Sequence, residues 1–219
     1  LTYDKSSDDT MGIAKSLPIE YIIAHDRNRG YGANQKTCYD KALSLGADII
    51  VMLHPDYQYT PRLISPMCSL IASGMFDAVL GSRILGKGAL KGGMPLYKYI
   101  ANRALTFVQN ILLNHKLSEF HTGFRAYSRK VLEKIDYTHD SDSYKFDNQL
   151  LAQIIYHGFE IGEIACPTQY SNDSSSISLK NSIIYGFGVL QVSLLYFLDK
   201  NTPMSFRMFA PRGAGNAQL

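Results

Sequence analysis

Short β-branched runs alternate along this chain with stretches of helical period, and that alternation restricts the fold more than any other feature. The runs are IEYIIAH (19–25), ADIIVML (47–53), DAVLGSR (77–83), GFRAYSR (123–129) and FEIGEIAC (159–166). Helical periodicity fills the intervals 32–46, 61–74, 95–114 and 144–158. The first, second and fourth close on Gly46, Gly74 and Gly158, and the third opens on Pro95. Pro66 should bend or delay the second. Strands that alternate with helices predict an α/β fold, a mostly parallel central sheet covered by helices on both faces. In such sheets ligands collect at the carboxyl ends of the strands.

With 219 residues, 46% hydrophobic and 19% charged, the chain can bury one sizeable core. A net charge of +3 gives no electrostatic basis for nucleic-acid binding, and none is expected. Cys38, Cys68 and Cys166 are scattered without metal-ligand spacing, which fits reduced thiols in a cytoplasmic setting. No signal-peptide pattern opens the chain. The stretch 171–178 reads as a polar loop. The uncharged segment 181–198 that follows is near the lower limit of about 17–25 residues for a spanning helix. Its glycines, serines, glutamine and asparagine make it a poor span, so it is expected either to pack in the interior or to lie at a membrane surface.

The run at 47–53 leads into MLHPDYQY (52–59). Alternate residues of a strand share a side, so His54, Asp56 and Gln58 are expected to converge just beyond a strand end. Carboxylate and amide oxygens suit Mg²⁺ or Mn²⁺, and the imidazole nitrogen tilts the preference to Mn²⁺. The alternative is a plain Pro55-Asp56 turn beside a core histidine.

The stretch NRGYGANQKTCYDKALSLGADIIVMLHPDYQY (28–59) resembles the heart of family 2 glycosyltransferases, particularly the dolichyl-phosphate mannosyltransferase-like branch. There an Asn-x-Gly-x-Gly segment leads into a helix, and a strand then ends in Asp-x-Asp-x-Gln. The counterparts here are Asn28, Gly30 and Gly32, then His54, Asp56 and Gln58. GSR (81–83), HTGFRAYSRKVL (121–132) and FDNQLLAQIIYHGFEIGEIACP (146–167) follow in the family's order. DKSSDDT (4–10) resembles the family's acidic nucleoside loop, with Asp4 and Asp9 at matching positions and Lys5 in place of an aspartate. The resemblance runs from residue 4 to about 200.

That resemblance implies a GT-A-like fold with a catalytic unit over 1–170 and a loop, apolar helix and tail over 171–219. It implies a UDP- or GDP-sugar donor contacted by Asp4, Asp9, Asn28, Gly30, Gly32 and Arg83, with a divalent cation on the diphosphate. Arg125 is expected to hold a phosphate and Asp147 to lie beside the acceptor. Two departures stand out. The family's first strand should precede residue 1, and His54 replaces an aspartate, removing one negative charge from the metal motif.

The chain has no tryptophan, so the Gln-x-x-Arg-Trp motif of processive polysaccharide synthases is absent. A single-transfer enzyme remains, acting on a polyprenyl phosphate or on a sugar hydroxyl. The first acceptor is already ionised at neutral pH and needs positioning; the second needs a carboxylate base. A lipid acceptor places the enzyme peripherally at the cytoplasmic membrane face. Two other classes compete. A sugar-nucleotide nucleotidyltransferase would open on a Gly-rich basic loop, and none is visible; a non-catalytic binding relative would keep the fold alone.

Overall fold

The computed structural model describes residues 1–5, 9–56, 58–86, 88–170 and 179–213. The expected loop at 171–178 lies outside them. A two-stranded parallel sheet pairs β1 (Thr2–Tyr3) with β2 (Ile23–Ala24). The run at 19–25 therefore contributes only two strand residues, because a strand extends only as far as its partner, and β1 offers two.

The main sheet has the order β3 (Ile49–Met52), β5 (Arg125–Ser128), β4 (Ala78–Ser82), β6 (Ile161–Ala165). β4 and β6 pair in parallel, whereas β5 is antiparallel to both β3 and β4. Three of the four strands thus share one direction and β5 is reversed between them.

Successive residues of β4 and β5 serve opposite faces of the sheet. Ala78 and Tyr127 pack with Tyr39 of α2 (Tyr31–Ser44), Val131 and Leu132 of α6 (Arg129–Lys134), and Phe146 and Leu150 of α7 (Phe146–Tyr156). Val79 and Ala126 pack with Met67 and Ile71 of α3 (Ile64–Ala72) on the other side. The α-helix starts only at Ile64, the delay expected of Pro66, and α3 continues through the proline to Ala72. Residues 61–63 form a separate 3₁₀ turn, so Pro66 falls in the first helical turn, where a missing N–H leaves no bond unmade. The short helices α1 (Thr10–Ser16) and α4 (Gly88–Lys91) lack the repeated apolar spacing that marks the longer ones.

α5 (Leu96–Leu112) and α8 (Leu179–Asn201) pack against one another. α8 buries Val189, Val192 and Tyr196. α5 is inverted in polarity: it buries Asn102, Thr106 and Gln109 and exposes Leu96, Tyr97, Ile100, Phe107 and Ile111. Both inward amides donate to polar partners, Asn102 Nδ2 to Glu119 at 2.7 Å and Gln109 Nε2 to Asn148 at 3.0 Å, while Gln109 Oε1 is buried without a partner among the described residues. Ile183, Ile184, Phe187, Leu194 and Phe197 of α8 are exposed as well. Among the described residues α8 alone, over Asn181–Asn201, is long and apolar enough to cross a membrane.

Candidate functional site

A cavity of about 330 Å³ opens where β3 ends and the antiparallel β5 begins, bounded on its far side by α5 and α8. His54, Asp56 and Gln58 all line it. Strand alternation is not what gathers them. β3 ends at Met52, and the backbone then bends through Pro55-Asp56. Asp56 Oδ1 accepts the Gln58 N–H at 3.1 Å, the side-chain-to-backbone bond of an Asx turn. The turn, and not the pleat, folds the three residues onto one wall.

Opposite that wall, α7 starts with Asp147 in its first turn. Asp147 is buried, accepting from Tyr31 Oη at 2.8 Å and from Gln35 Nε2 at 3.2 Å. Both of its oxygens are therefore occupied by α2. Burial, and next the Asp147 charge, push the Tyr31 phenol well above its usual range, so Tyr31 remains a donor. Tyr31 is sandwiched between His54, with ring centroids 5.6 Å apart, and Tyr144, at 5.0 Å. Burial holds His54 below the usual imidazole range and keeps it neutral. Gly123 is required beside it, because a Cβ there would stand 2.8 Å from His54 Nε2.

Arg83 lines the cavity and is anchored by a fully buried carboxylate, Glu119. Arg83 Nε donates to Glu119 Oε1 at 2.8 Å, the backbone N–H of Arg83 donates to Oε2 at 2.7 Å, and Nη2 completes the pair. Burial on its own would raise the Glu119 pKa, but the Arg83 charge overrides it and the carboxyl is held below its ordinary value. Arg83 Nη1 donates to Tyr170 Oη at 2.9 Å.

Arg125 is not at the cavity wall. It is completely buried and its donors go to backbone carbonyls: Nε to Thr122 and Nη1 to Asp147 at 2.8 Å, and Nη2 to Phe120 at 2.9 Å. The expected phosphate contact is replaced by a structural one. Arg125 ties the loop before β5 to the start of α7, and so sets where Asp147 lies. The nucleoside-loop residues are likewise placed elsewhere. Asp4 accepts from His25 Nδ1 at 2.6 Å and from the backbone N–H groups of Arg29 and Gly30 at 2.9 Å. Asn28 and Asp9 are exposed. Neither they nor Gly30 and Gly32 line the cavity. The two glycines act at one remove: a Cβ on Gly30 would meet the Asp142 carbonyl oxygen at 2.5 Å, and one on Gly32 the Ser141 carbonyl oxygen at 2.2 Å. Their absence of side chains lets residues 141–146 close on α2 and bring Tyr144 and Asp147 to the site.

Sequence reasoning missed Tyr31, Tyr144, Glu119, His121, Lys98 and Tyr185, all but Glu119 lining the cavity. Burial pushes His121 down to about pH 3, so it is neutral at physiological pH, and its Nδ1 lies 2.9 Å from Tyr185 Oη.

A family model described as glycosyl transferase family 2 matches residues 1–136. The chain belongs to glycosyl transferase family 2. It is a glycosyltransferase, with the GT-A arrangement expected of that family. An uncharacterized protein of Methanocaldococcus jannaschii is 29% identical over 187 residues, 85% of this chain and 75% of that protein. The UDP-N-acetylglucosamine–dolichyl-phosphate N-acetylglucosaminyltransferase of Methanococcus voltae is 28% identical, covering 81% of this chain and 70% of its own length. The polyprenol monophosphomannose synthase of Mycolicibacterium smegmatis is 27% identical, covering 74% and 62%. In fold, this family 2 chain is similar to glucosyl-3-phosphoglycerate synthase from Mycobacterium tuberculosis solved with uridine diphosphate. That likeness has a TM-score of 0.61 at 15% identity and covers 96% of this chain and 73% of that one. The same enzyme solved with Mn²⁺, UDP-glucose and phosphoglyceric acid gives a TM-score of 0.54 at 14% identity, over 92% and 68%.

Proposed function

We propose that this glycosyltransferase moves a sugar from a nucleotide-sugar donor to a polyprenyl phosphate in a single, inverting displacement. The inverted polarity of α5 carries the reading of the acceptor. A helix that buries amides and exposes leucine, isoleucine and phenylalanine has its outer face matched to a bilayer rather than to water. α8 continues that surface with Ile183, Ile184 and Phe187, and the cavity lies directly behind both helices. A lipid phosphate can then reach the cavity while its chain stays among apolar side chains. The dolichyl- and polyprenol-phosphate relatives support the same acceptor class.

The donor's diphosphate belongs at the Asp56–Gln58 wall. Among the described residues no group of three His, Cys, Asp or Glu side chains stands ready to hold a metal ion. One carboxylate with an amide and an imidazole nonetheless fits the donor preferences of Mn²⁺ or Mg²⁺. Asp56, Gln58 and His54 would hold it. A divalent cation there neutralises charge on the departing nucleoside diphosphate. Arg83, fixed by Glu119, adds a guanidinium to the same cavity. Asp147 is hydrogen-bonded through both oxygens, which suits a fixed electrostatic and orienting role and disfavours a covalent glycosyl intermediate on it. A sugar-hydroxyl acceptor would instead require Asp147 as general base.

Transfer from radiolabelled UDP- and GDP-sugars to polyprenyl phosphate in liposomes, with phosphoglycerate as the competing acceptor, tests this reading. Asp56→Ala should lower transfer about 100-fold, roughly 2.7 kcal/mol, because it removes the carboxylate from the trio His54, Asp56 and Gln58. Transfer to phosphoglycerate but not to lipid would move the protein to the hydroxyl-acceptor class.

The membrane surface has its own measurement. The intact chain should co-sediment with anionic liposomes, and Phe107→Glu combined with Phe187→Glu should leave it in the supernatant. Each of the two side chains is among the most exposed of the large apolar ones, and burying one contributes about 1.5–3 kcal/mol. Equal sedimentation of the double variant would assign this face to another contact.

A further inference from the structure

The single phenolic hydrogen of Tyr31 fixes more than its own hydrogen bonds. Tyr31 Oη has one hydrogen and three neighbours in reach, Asp147 Oδ2 at 2.8 Å, His54 Nε2 at 3.3 Å and the Met52 sulfur at 3.8 Å. The carboxylate and the thioether can only accept, and the carboxylate is both the nearer and the far stronger acceptor, so the phenolic proton goes to Asp147. The contact with the imidazole is then satisfied in one sense, with His54 Nε2–H donating to the phenolic oxygen. A neutral imidazole has a single N–H, so Nδ1 carries the lone pair. No hydrogen bond to Nδ1 is made among the described residues. The ring is held by more than this bond. It stacks on Tyr31 at an interplanar angle of 15°, and Gly123 leaves no side chain where Nε2 sits.

We propose that His54 offers Nδ1 to the divalent cation carried by the donor diphosphate, and that Tyr31 and Asp147 are the positioning groups that fix this tautomer. The inference rests on the nucleotide-sugar reading above. Histidine ligands of metals commonly donate their other ring N–H to a group that sets tautomer and orientation, and removal of that group typically weakens the metal 10- to 100-fold. Here that group is a tyrosine relayed to a carboxylate 116 residues away in sequence. The cation wall and the acceptor-side Asp147 thereby share one hydrogen-bonded chain. The exchange of a carboxylate for an imidazole also changes the ligand set from all-oxygen to nitrogen and oxygen, which favours Mn²⁺ over Mg²⁺.

The test uses Mn²⁺ and UDP with no sugar transfer. Electron paramagnetic resonance of the ternary complex should show ¹⁴N coupling from a directly bound imidazole, and His54→Ala should abolish it. Tyr31→Phe keeps the ring and the stack but removes the hydroxyl. It should weaken Mn²⁺ binding in the presence of UDP by about 10- to 100-fold, with little change in thermal unfolding. Asp56-dependent Mn²⁺ binding without ¹⁴N coupling would overturn the proposal and leave the cation reading standing. Wild-type affinity in Tyr31→Phe would overturn the positioning role. Mn²⁺ binding that ignores both UDP and Asp56→Ala would remove the cation reading and the proposal together. The wild-type spectrum decides the ligand question even if a variant fails to fold.

Discussion

Arg125→Met is expected to lower the unfolding free energy by about 3–5 kcal/mol, the range for breaking a buried charged arrangement on one side. Urea denaturation followed by circular dichroism measures it, and a loss under 1 kcal/mol would refute the structural role. The methionine fills part of the volume but offers no donor to the Phe120, Thr122 and Asp147 carbonyls, so three hydrogen bonds to a charged donor are lost in the interior. Burial opposes the charge on Arg125, and the neighbouring Asp147 sustains it. Arg125→Lys should recover little, since one ammonium cannot span three carbonyls that a planar guanidinium reaches from separate nitrogens. Activity should fall with stability, because the same bonds place the first turn of α7.

Glu119→Ala should be similarly damaging, again about 3–5 kcal/mol, because it strands the Arg83 guanidinium beside a void and leaves Asn102 without its acceptor. The wild-type pair also makes an acid-side prediction. The folded-state pKa of Glu119 lies below its unfolded value, so its contribution is fully present above about pH 4.5 and is lost as pH falls through the depressed folded value. Glu119→Gln, which cannot titrate, should show a flatter loss of stability on the acid side than the wild type. Equal slopes for the two proteins would show that the pair does not govern acid unfolding.

These two residues mark where sequence reasoning ran out. Arg83 and Arg125 look alike locally, each at the edge of a β-branched run, yet one lines the cavity and the other is swallowed by carbonyls. The difference comes from Glu119, 36 residues beyond Arg83, and from the loop that folds over Arg125. Glu119 itself sits in LSEFHT with no periodicity to distinguish it from a solvated acid. Tyr31 was hidden among the glycines of the Asn28–Gly32 segment, where attention falls on the backbone and not on the ring between them.

Short-range period and spacing were enough for the alternation of strands and helices, the family, and the types of residue gathered at the end of β3. The glycines of the 28–32 segment were legible as a pattern, but their reason is the approach of residues 141 and 142, which only the folded chain supplies. α5 was legible as amphipathic, and its direction was not. Period fixes that one face differs from the other, whereas which face meets the interior depends on the polar partners waiting there, here Glu119 and Asn148. Tertiary structure alone decided that, and with it which surface stands in front of the cavity, since burial and hydrogen-bond satisfaction are properties of contacts between distant segments.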